Sequence, residues 1–161
     1  NIIAEDLGYL TDSVLKLLQD TGYPGMKVLQ FAFDSREESD YLPHNYNKNC
    51  VVYTGTHDND TVLGWLDEMA QEDRAFAQKY MNNKKSTAEE IPWDFIRLAM
   101  ASVADLAVIP VQDYLGLGTE ARINKPSTLG YNWKWRLKQG QLEEDVLEKM
   151  YDMTKLYGRL S

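Results

Sequence analysis

Residues 51–61, VVYTGTHDNDT, begin as an apolar run, break at Gly55 and then deliver four consecutive polar side chains: His57, Asp58, Asn59 and Asp60. Another apolar run, residues 1–4, is followed by the acids Glu5 and Asp6. Carboxyl groups brought together suit acid/base chemistry at a glycosidic bond, where one carboxyl must carry a proton and another must be ionised. Such chemistry requires that the elements preceding these residues place them side by side.

Those elements alternate between strand and helix. The apolar runs predict strands at residues 1–4, 26–33, 51–54 and 106–113. Helices are predicted between Thr11 and Gly22, over 61–81 in two pieces meeting near Gln71, over 93–105 with Pro92 in the first turn, and from Gln141 onward. The apolar faces predicted for the first, third and last helices are Val14, Leu15, Leu17 and Leu18; Phe95, Leu98, Ala99 and Val103; and Leu142, Val146, Met150, Met153 and Tyr157.

Apolar strands joined by helices predict an α/β protein with a parallel sheet. Two architectures fit, a doubly wound sheet and part of a (β/α)8 barrel, and four β/α units make about half of a barrel of roughly 250 residues. The chain starts abruptly with a strand, so we expect an N-terminal part to be missing. In either architecture the carboxyl ends of the strands carry the ligand site. There the sequence places Glu5 and Asp6, Asp34, the 57–60 group, and Gln112 with Asp113.

Composition narrows the class of partner. The 161 residues suit one domain, and the net charge of -8 comes without a basic block, which argues against nucleic-acid and anionic-membrane partners. An uncharged, polyhydroxylated ligand fits a cleft of acids and amides better. Cys50 is the single cysteine, which is typical of a reduced, cytoplasmic setting. The sequence shows no signal peptide and no apolar run of membrane-spanning length.

Several motifs have other readings. Glu5 and Asp6 could be solvated loop residues, and Asp60 is better explained as the N-cap of the following helix than as a ligand. Cys50, His44 and the HDND string lack the spacing of a zinc or calcium site, so no metal is expected. The LGLG stretch lacks the dinucleotide-binding pattern. The aromatics of YNWKWR could equally pack against the fold or stack on sugar rings.

Five segments resemble one known family. The stretches IIAEDLG, MKVLQFAF, LPHNY, VVYTGTHDNDTVLGW and IPVQDYLGLGTEARINKPSTLGYNWKWR are similar to the C-terminal part of the 4-alpha-glucanotransferases, or amylomaltases, of glycoside hydrolase family 77. These enzymes are relatives of the α-amylases. The resemblance favours the barrel over the doubly wound sheet. It implies that residues 1–161 form the C-terminal half, about strands five to eight, of a (β/α)8 TIM-barrel catalytic domain.

The resemblance also implies roles for individual residues. Glu5 matches the general acid/base, Asp58 the transition-state stabiliser, and His57 a histidine that contacts the sugar at the cleavage point. The remaining matches line the family's glucan groove: Asp34, His44, Asn45 and Asn124. The family's nucleophile, an aspartate in an Arg-x-Asp context after strand four, has no counterpart in this chain. The scheme requires no cofactor and no metal.

The implied reaction moves a segment of a 1,4-alpha-D-glucan to the 4-hydroxyl of an acceptor glucan, with retention through a covalent glucosyl-enzyme. Partners would be α-1,4-glucans and maltooligosaccharides of maltose, glycogen or starch metabolism. The isolated chain should be inactive, and its open strand edges could pair with the missing N-terminal half or with a second copy. Two alternatives remain: a non-catalytic carbohydrate-binding α/β module, and an α-amylase-like glucan hydrolase.

Overall fold

The computed structural model describes residues 2–8, 10–83 and 86–160. The strands in this part of the chain are Gly25–Val28 (β1), Cys50–Tyr53 (β2) and Leu106–Val108 (β3). The helices are Asp12–Thr21 (α1), Val62–Glu68 (α2), Gln71–Tyr80 (α3), Ile91–Ala101 (α4), Val111–Tyr114 (α5) and Glu144–Leu156 (α6). Short 3-10 turns occur at Leu29–Phe31, Pro43–Asn45 and Thr119–Ala121. No helix among these residues is long and apolar enough to cross a membrane.

The three strands form one parallel sheet in the order β1-β2-β3. Val28 lies beside Tyr53, and Tyr53 lies beside Val108, so the strands finish at one shared edge. The crossover from β2 to β3 contains α2, α3 and α4. The predicted α/β class with a parallel sheet is therefore confirmed, and the residues that follow each strand emerge along the same edge.

The first predicted strand is wrong. Residues 2–4 form no strand, and Ile2 and Ile3 are 56% and 43% exposed instead of buried. One backbone hydrogen bond, from Ala4 N–H to the Pro24 carbonyl at 2.9 Å, ties the segment to the residues before β1. Asp6 then accepts a hydrogen bond from Met26 N–H at 2.6 Å, so a side chain takes the place of a second ladder bond. Asn1 lies outside the described residues.

Two other predicted strands are shorter than expected. Residues 29–31 after β1 coil into a 3-10 turn, and β3 stops at Val108 because Pro110 precedes α5 and has no N–H for a ladder. The helix predictions hold better. α3 begins at Gln71 as expected, α4 carries its proline in the first turn, and Gly22 ends α1 in the left-handed conformation at φ 65°.

Two clusters of buried side chains form the core. The larger one packs Val52 of β2 and Leu29 against Phe95 of α4 and Val62 of α2. In the smaller one, Met153 of α6 packs with four buried residues, Trp93, Ile96, Met100 and Tyr114, and the predicted stripe members Val146, Met150 and Tyr157 lie against it.

Some predicted apolar faces are exposed. The α1 residues Val14, Leu15 and Leu17 are 41% to 62% exposed, and Val103 lies beyond the end of α4 at 56% exposure. None of the α1 residues is buried, because no other described element covers that helix face. The spacing of apolar residues correctly predicted the α1 helix. The burial expected for its apolar face is not seen in the described residues.

Candidate active site

A cavity of about 1000 Å³ opens at the carboxyl edge of the sheet. Glu5 lines it from the N-terminal segment, residues 55–59 line it after β2, and residues 109–112 line it after β3. Glu5, His57 and Asp58 therefore face one space although 52 positions separate Glu5 from His57 in the sequence. The parallel sheet brings the residues after β2 and β3 to one edge, and the hydrogen bonds of Ala4 and Asp6 to the residues around the start of β1 hold the Glu5 segment beside them.

The loop after β2 holds its shape through local hydrogen bonds. Asn59 Oδ1 accepts from the backbone N–H of Thr56 at 2.9 Å and from its hydroxyl at 2.8 Å, which closes a tight turn around His57 and Asp58. Gly55 lacks a side chain for a clear reason: an added Cβ would lie 2.5 Å from Gln30 Nε2. This turn lets a buried strand present two functional side chains in succession.

The N-cap prediction for Asp60 is wrong. Thr61 caps α2, because its hydroxyl oxygen accepts from Gly64 N–H at 3.1 Å. Asp60 Oδ1 accepts from the adjacent Thr61 N–H at 2.7 Å, and the Val62 N–H donates to Asp113 Oδ1 at 2.8 Å. A carboxylate from a distant part of the chain therefore serves the helix terminus that sequence reasoning assigned to Asp60.

Asp58 is oriented by donors from a later loop. Asn124 Nδ2 donates to Asp58 Oδ1 at 2.7 Å, and His57 Nε2 lies 3.3 Å from the same oxygen. The Asp58 side chain is 48% exposed, so one part of its carboxylate is held and the rest faces the cavity. A carboxylate in this setting can accept hydrogen bonds from ligand hydroxyls or stabilise positive charge at a sugar carbon.

Aromatic side chains border the same space. The His57 and Trp133 rings lie 5.1 Å apart at an interplanar angle of 37°, and Trp135 lines the cavity. Trp133 has φ 63°, an uncommon value for a bulky residue, and its N–H donates to the Ile123 carbonyl at 2.7 Å. Its side chain remains 55% exposed. Trp135 thus lines the cavity while Trp133 packs beside His57, and contact of this stretch with a sugar stays a prediction.

Three predicted groove residues lie elsewhere in the described structure. Asp34 pairs with Arg36 at 2.7 Å from Oδ1 to Nε, and hydrogen bonding to this guanidinium lowers the pKa of Asp34 to about 2. His44 Nδ1 lies 2.9 Å from the Tyr80 hydroxyl, and Asn45 donates to the Ser39 carbonyl at 3.0 Å. None of the three lines the cavity that Glu5 and Asp58 share.

Asp113, placed by sequence reasoning in the strand-end ring, turns into the interior. It is 1% exposed, and Thr54 donates its hydroxyl to Asp113 Oδ2 at 2.5 Å. Burial raises the pKa of Asp113 to about 6, while the hydrogen bonds from Thr54 and Val62 oppose the rise. Gln112 does line the cavity, and its amide donates to the Ala121 carbonyl at 3.2 Å.

Potential metal ligands do not cluster in the described residues, where no group of three or more His, Cys, Asp or Glu side chains could hold an ion. Cys50 is buried, and its thiol donates to the Asn47 carbonyl at 3.2 Å. Among the described residues, the polar side chains that line the cavity include those of Glu5, Thr56, His57, Asp58, Asn59 and Gln112.

Comparison with known proteins identifies the family. The family model described as 4-alpha-glucanotransferase, glycoside hydrolase family 77, matches residues 1–142. The chain belongs to the 4-alpha-glucanotransferase family. A 4-alpha-glucanotransferase of Clostridium butyricum is 50% identical over 98% of this chain and 32% of its own length. A Solanum tuberosum 4-alpha-glucanotransferase is 47% identical over 99% of this chain and 28% of its own length.

Solved structures of amylomaltases agree with this assignment. Amylomaltase from Streptococcus agalactiae in complex with acarbose superimposes with a TM-score of 0.91 at 35% identity, over 99% of this chain and 32% of that one. Corynebacterium glutamicum amylomaltase, at 16% identity, matches in fold with a TM-score of 0.66, over 99% of this chain and 29% of that one. The chain therefore spans about a third of the family members it matches.

Sequence reasoning did not single out Arg122, which contacts the Asp58 loop in this 4-alpha-glucanotransferase-family chain. Arg122 donates from Nη2 to the Asp58 carbonyl at 2.7 Å, and its side chain is 21% exposed. The signal that could have found it is the single cation of the motif EARIN, two residues before Asn124.

Proposed function

We propose that the intact protein is a 4-alpha-glucanotransferase that moves a segment of an α-1,4-glucan to the 4-hydroxyl of an acceptor glucan, with retention of configuration. The observation that carries the proposal is the shared cavity: Glu5 and Asp58, the two acids of the family motifs, line one space at the carboxyl edge of the sheet. Family membership supports the same reaction. The single free thiol, Cys50, is compatible with action in the cytoplasm.

In this proposal β1, β2 and β3 are consecutive strands of the C-terminal half of a (β/α)8 barrel. Residues 2–4, which form no strand here, would complete the strand before β1 in the intact barrel, and the other strands come from the part of the protein outside these 161 residues. Exposed apolar side chains on β3, at Leu106 and Val108, and on Ile2 and Ile3 support this view, because the rest of a barrel would cover them. The strand that carries the nucleophile belongs to that remainder, so the 161-residue chain alone is expected to transfer no glucan.

Catalysis proceeds in two displacements. A carboxylate from outside this chain attacks the anomeric carbon, and the Glu5 carboxyl gives its proton to the departing glycosidic oxygen. The glucan that carries this oxygen leaves, and the donor segment stays bound to the nucleophile through a glycosyl ester. The 4-hydroxyl of the acceptor then attacks the same carbon, the Glu5 carboxylate takes the hydroxyl proton, and the nucleophile is released. Two inversions give net retention.

Asp58 acts during each displacement, when positive charge develops on the sugar ring. The Asn124 amide at 2.7 Å and the His57 imidazole at 3.3 Å hold one of its oxygens. A carboxylate oriented before the charge appears stabilises the transition state without a further reorganisation cost. Asp34, His44 and Asn45 lie away from this cavity, and we assign them to glucose units farther from the cleavage point.

Product analysis with maltotriose tests the function. The intact protein should convert maltotriose to glucose plus maltodextrins longer than the substrate, without net gain of reducing ends. A hydrolase would instead raise reducing ends and lengthen no chain. A binding module would return the maltotriose unchanged. Either of the latter outcomes would contradict the proposed transfer.

A substrate with an activated leaving group tests the role of Glu5. Glu5→Gln should lower transfer from maltotriose by roughly 100-fold to 10,000-fold, since the leaving sugar loses its proton donor. Glycosylation by α-maltosyl fluoride should be largely retained, because fluoride departs without protonation. Asp58→Asn should impair both substrates, and Glu37→Gln, in an exposed loop, serves as the matched control. Equal loss with both substrates in Glu5→Gln would rule out the acid role.

A further inference from the structure

Two separate loops of the active site meet at one guanidinium group. Arg122 Nη2 donates to the Asp58 carbonyl at 2.7 Å, and Arg122 Nε donates to the Asn124 carbonyl at 2.9 Å. Asp58 lies in the loop after β2, while Asn124 lies in the segment after α5. The planar Arg122 side chain therefore sets the distance between the two loops. The orientation of Asp58 depends on that distance, because Asn124 in one loop donates to Asp58 in the other.

The remaining nitrogen of the Arg122 guanidinium, Nη1, faces the buried carboxyl group of Asp60. The Asp60 side chain is 5% exposed, and its Oδ2 has no hydrogen-bond partner within the described residues. Arg122 Nη1 lies 3.6 Å from that oxygen. A buried carboxylate is costly unless a cation compensates it. Asp60 therefore favours a cation at position 122 and helps to hold the Arg122 side chain in place.

Asp60 is itself held by the 3-10 turn that follows β1. Its carbonyl accepts from the buried Gln30 amide at 2.8 Å, and its Oδ1 accepts from Thr61 N–H at 2.7 Å. The chain of contacts thus runs from the residues after β1 through Asp60 to Arg122 and on to Asn124. At its end, Asn124 touches both catalytic-loop residues: its N–H donates to the His57 carbonyl at 3.1 Å and its amide donates to Asp58 Oδ1 at 2.7 Å.

We propose that Arg122 is a positioning residue that clamps the Asp58 loop to the Asn124 segment and so aims the Asp58 carboxylate, without contacting the glucan. Arg122 is not among the described residues that line the cavity, whereas Asp58 is. The proposal rests on the transfer reaction proposed above. In this role Arg122 affects kcat more than KM.

Replacing Arg122 in the intact protein gives the test. Arg122→Ala should lower kcat for maltotriose transfer by about 100-fold, since a displacement of about 1 Å at a catalytic group has that effect. The KM should change by much less. Arg122→Lys keeps the charge near Asp60 but cannot span both carbonyls, so it should fold like the wild type and still lose kcat.

Arg159 offers a matched control. It donates to the carbonyls of Met100, Ser102 and Ala104 at 2.8–3.0 Å, remote from the cavity. Arg159→Ala should lower thermal stability and leave kcat unchanged. Added guanidinium ion, at concentrations too low to unfold the protein, should restore part of the lost kcat in Arg122→Ala and do nothing for Arg159→Ala.

Two kinetic results would overturn the clamp. One is a kcat for Arg122→Lys equal to that of the wild type. The other is a loss of kcat in Arg122→Ala that guanidinium does not restore and that Arg159→Ala shares. Amide hydrogen exchange supplies a readout without turnover: Arg122→Lys should speed exchange in residues 56–61 selectively. A wild type without transfer products would refute the proposed function, while unchanged exchange in this loop would refute the clamp.

Discussion

Asp113→Asn is the substitution whose effect on stability the structure specifies most closely. Asp113 is 1% exposed, and its two oxygens accept from the Thr54 hydroxyl at 2.5 Å and the Val62 N–H at 2.8 Å. An asparagine fits the same place. Its carbonyl oxygen can accept from Val62 N–H, and the Thr54 hydroxyl can rotate to accept from the new NH2 group. The substitution removes the ionisation and keeps the shape.

The sign follows from linkage. Burial raises the pKa of Asp113 from 3.8 in the unfolded chain to about 6 in the folded protein. The folded state therefore holds the proton more tightly, and wild-type stability falls as pH rises from about 4 through 6. A gap of about two pKa units corresponds to about 3 kcal/mol. Relative to the wild type, Asp113→Asn should gain up to about this amount between pH 4 and pH 7.

Urea unfolding of the intact protein and the variant across that pH range measures the difference. We expect the difference in unfolding free energy to be small near pH 4 and to reach its plateau above pH 6.5. Thr54→Val provides the comparison, because it removes one donor to the carboxylate and leaves the titration in place. A difference between Asp113→Asn and the wild type that stays constant from pH 4 to pH 7 would contradict the assignment of a buried, titrating carboxyl.

Other substitutions probe the cavity and the loop beside it. Asn124→Asp replaces the 2.7 Å donor to Asp58 with a like charge, so transfer kcat should fall by the equivalent of roughly 1 kcal/mol or more, with Asn124→Ala as the uncharged comparison. Trp133→Ala should raise the KM for maltotriose by about 10-fold while Trp133→Phe stays near wild type, since the exposed ring is expected to contact the sugar. Unaltered KM values would remove this residue from the substrate site. Gly64→Ala adds a Cβ that collides with the Thr119 hydroxyl, and thermal melting should show a loss of about 1–3 kcal/mol.

Local signals along the chain were sufficient for much of the fold. Gly22 ends α1, α3 begins at Gln71 after a break at Met69 and Ala70, and a proline occupies the first turn of α4. Each of these features depends only on residues a few positions away in the sequence. Spacing and composition therefore predict it. The short strands were harder, because Pro110 and the turn after β1 end them before their apolar runs end.

The acids that line the cavity were located in the same way, since Glu5 and Asp58 each follow an apolar run, although only the run before Asp58 forms a strand. Their catalytic roles came from the family resemblance and stay predictions. The sequence could not assign Asp60, because the choice between N-cap and buried anchor depends on a carboxylate 53 positions later, at Asp113. It also could not single out Arg122, whose partners lie in a different loop.

The amino-acid sequence by itself determined the parallel α/β class, the end of α1, the starts of α3 and α4, and the placing of Glu5 and Asp58 directly after apolar runs. Each of these depends on neighbours along the chain. Only the tertiary structure decided that Asp113 turns inward while Asp58 faces the cavity, and that Arg122 joins the Asp58 loop to the Asn124 segment. The physical reason is that burial and hydrogen-bond partners across space, which no local pattern encodes, set the environment of a charged side chain.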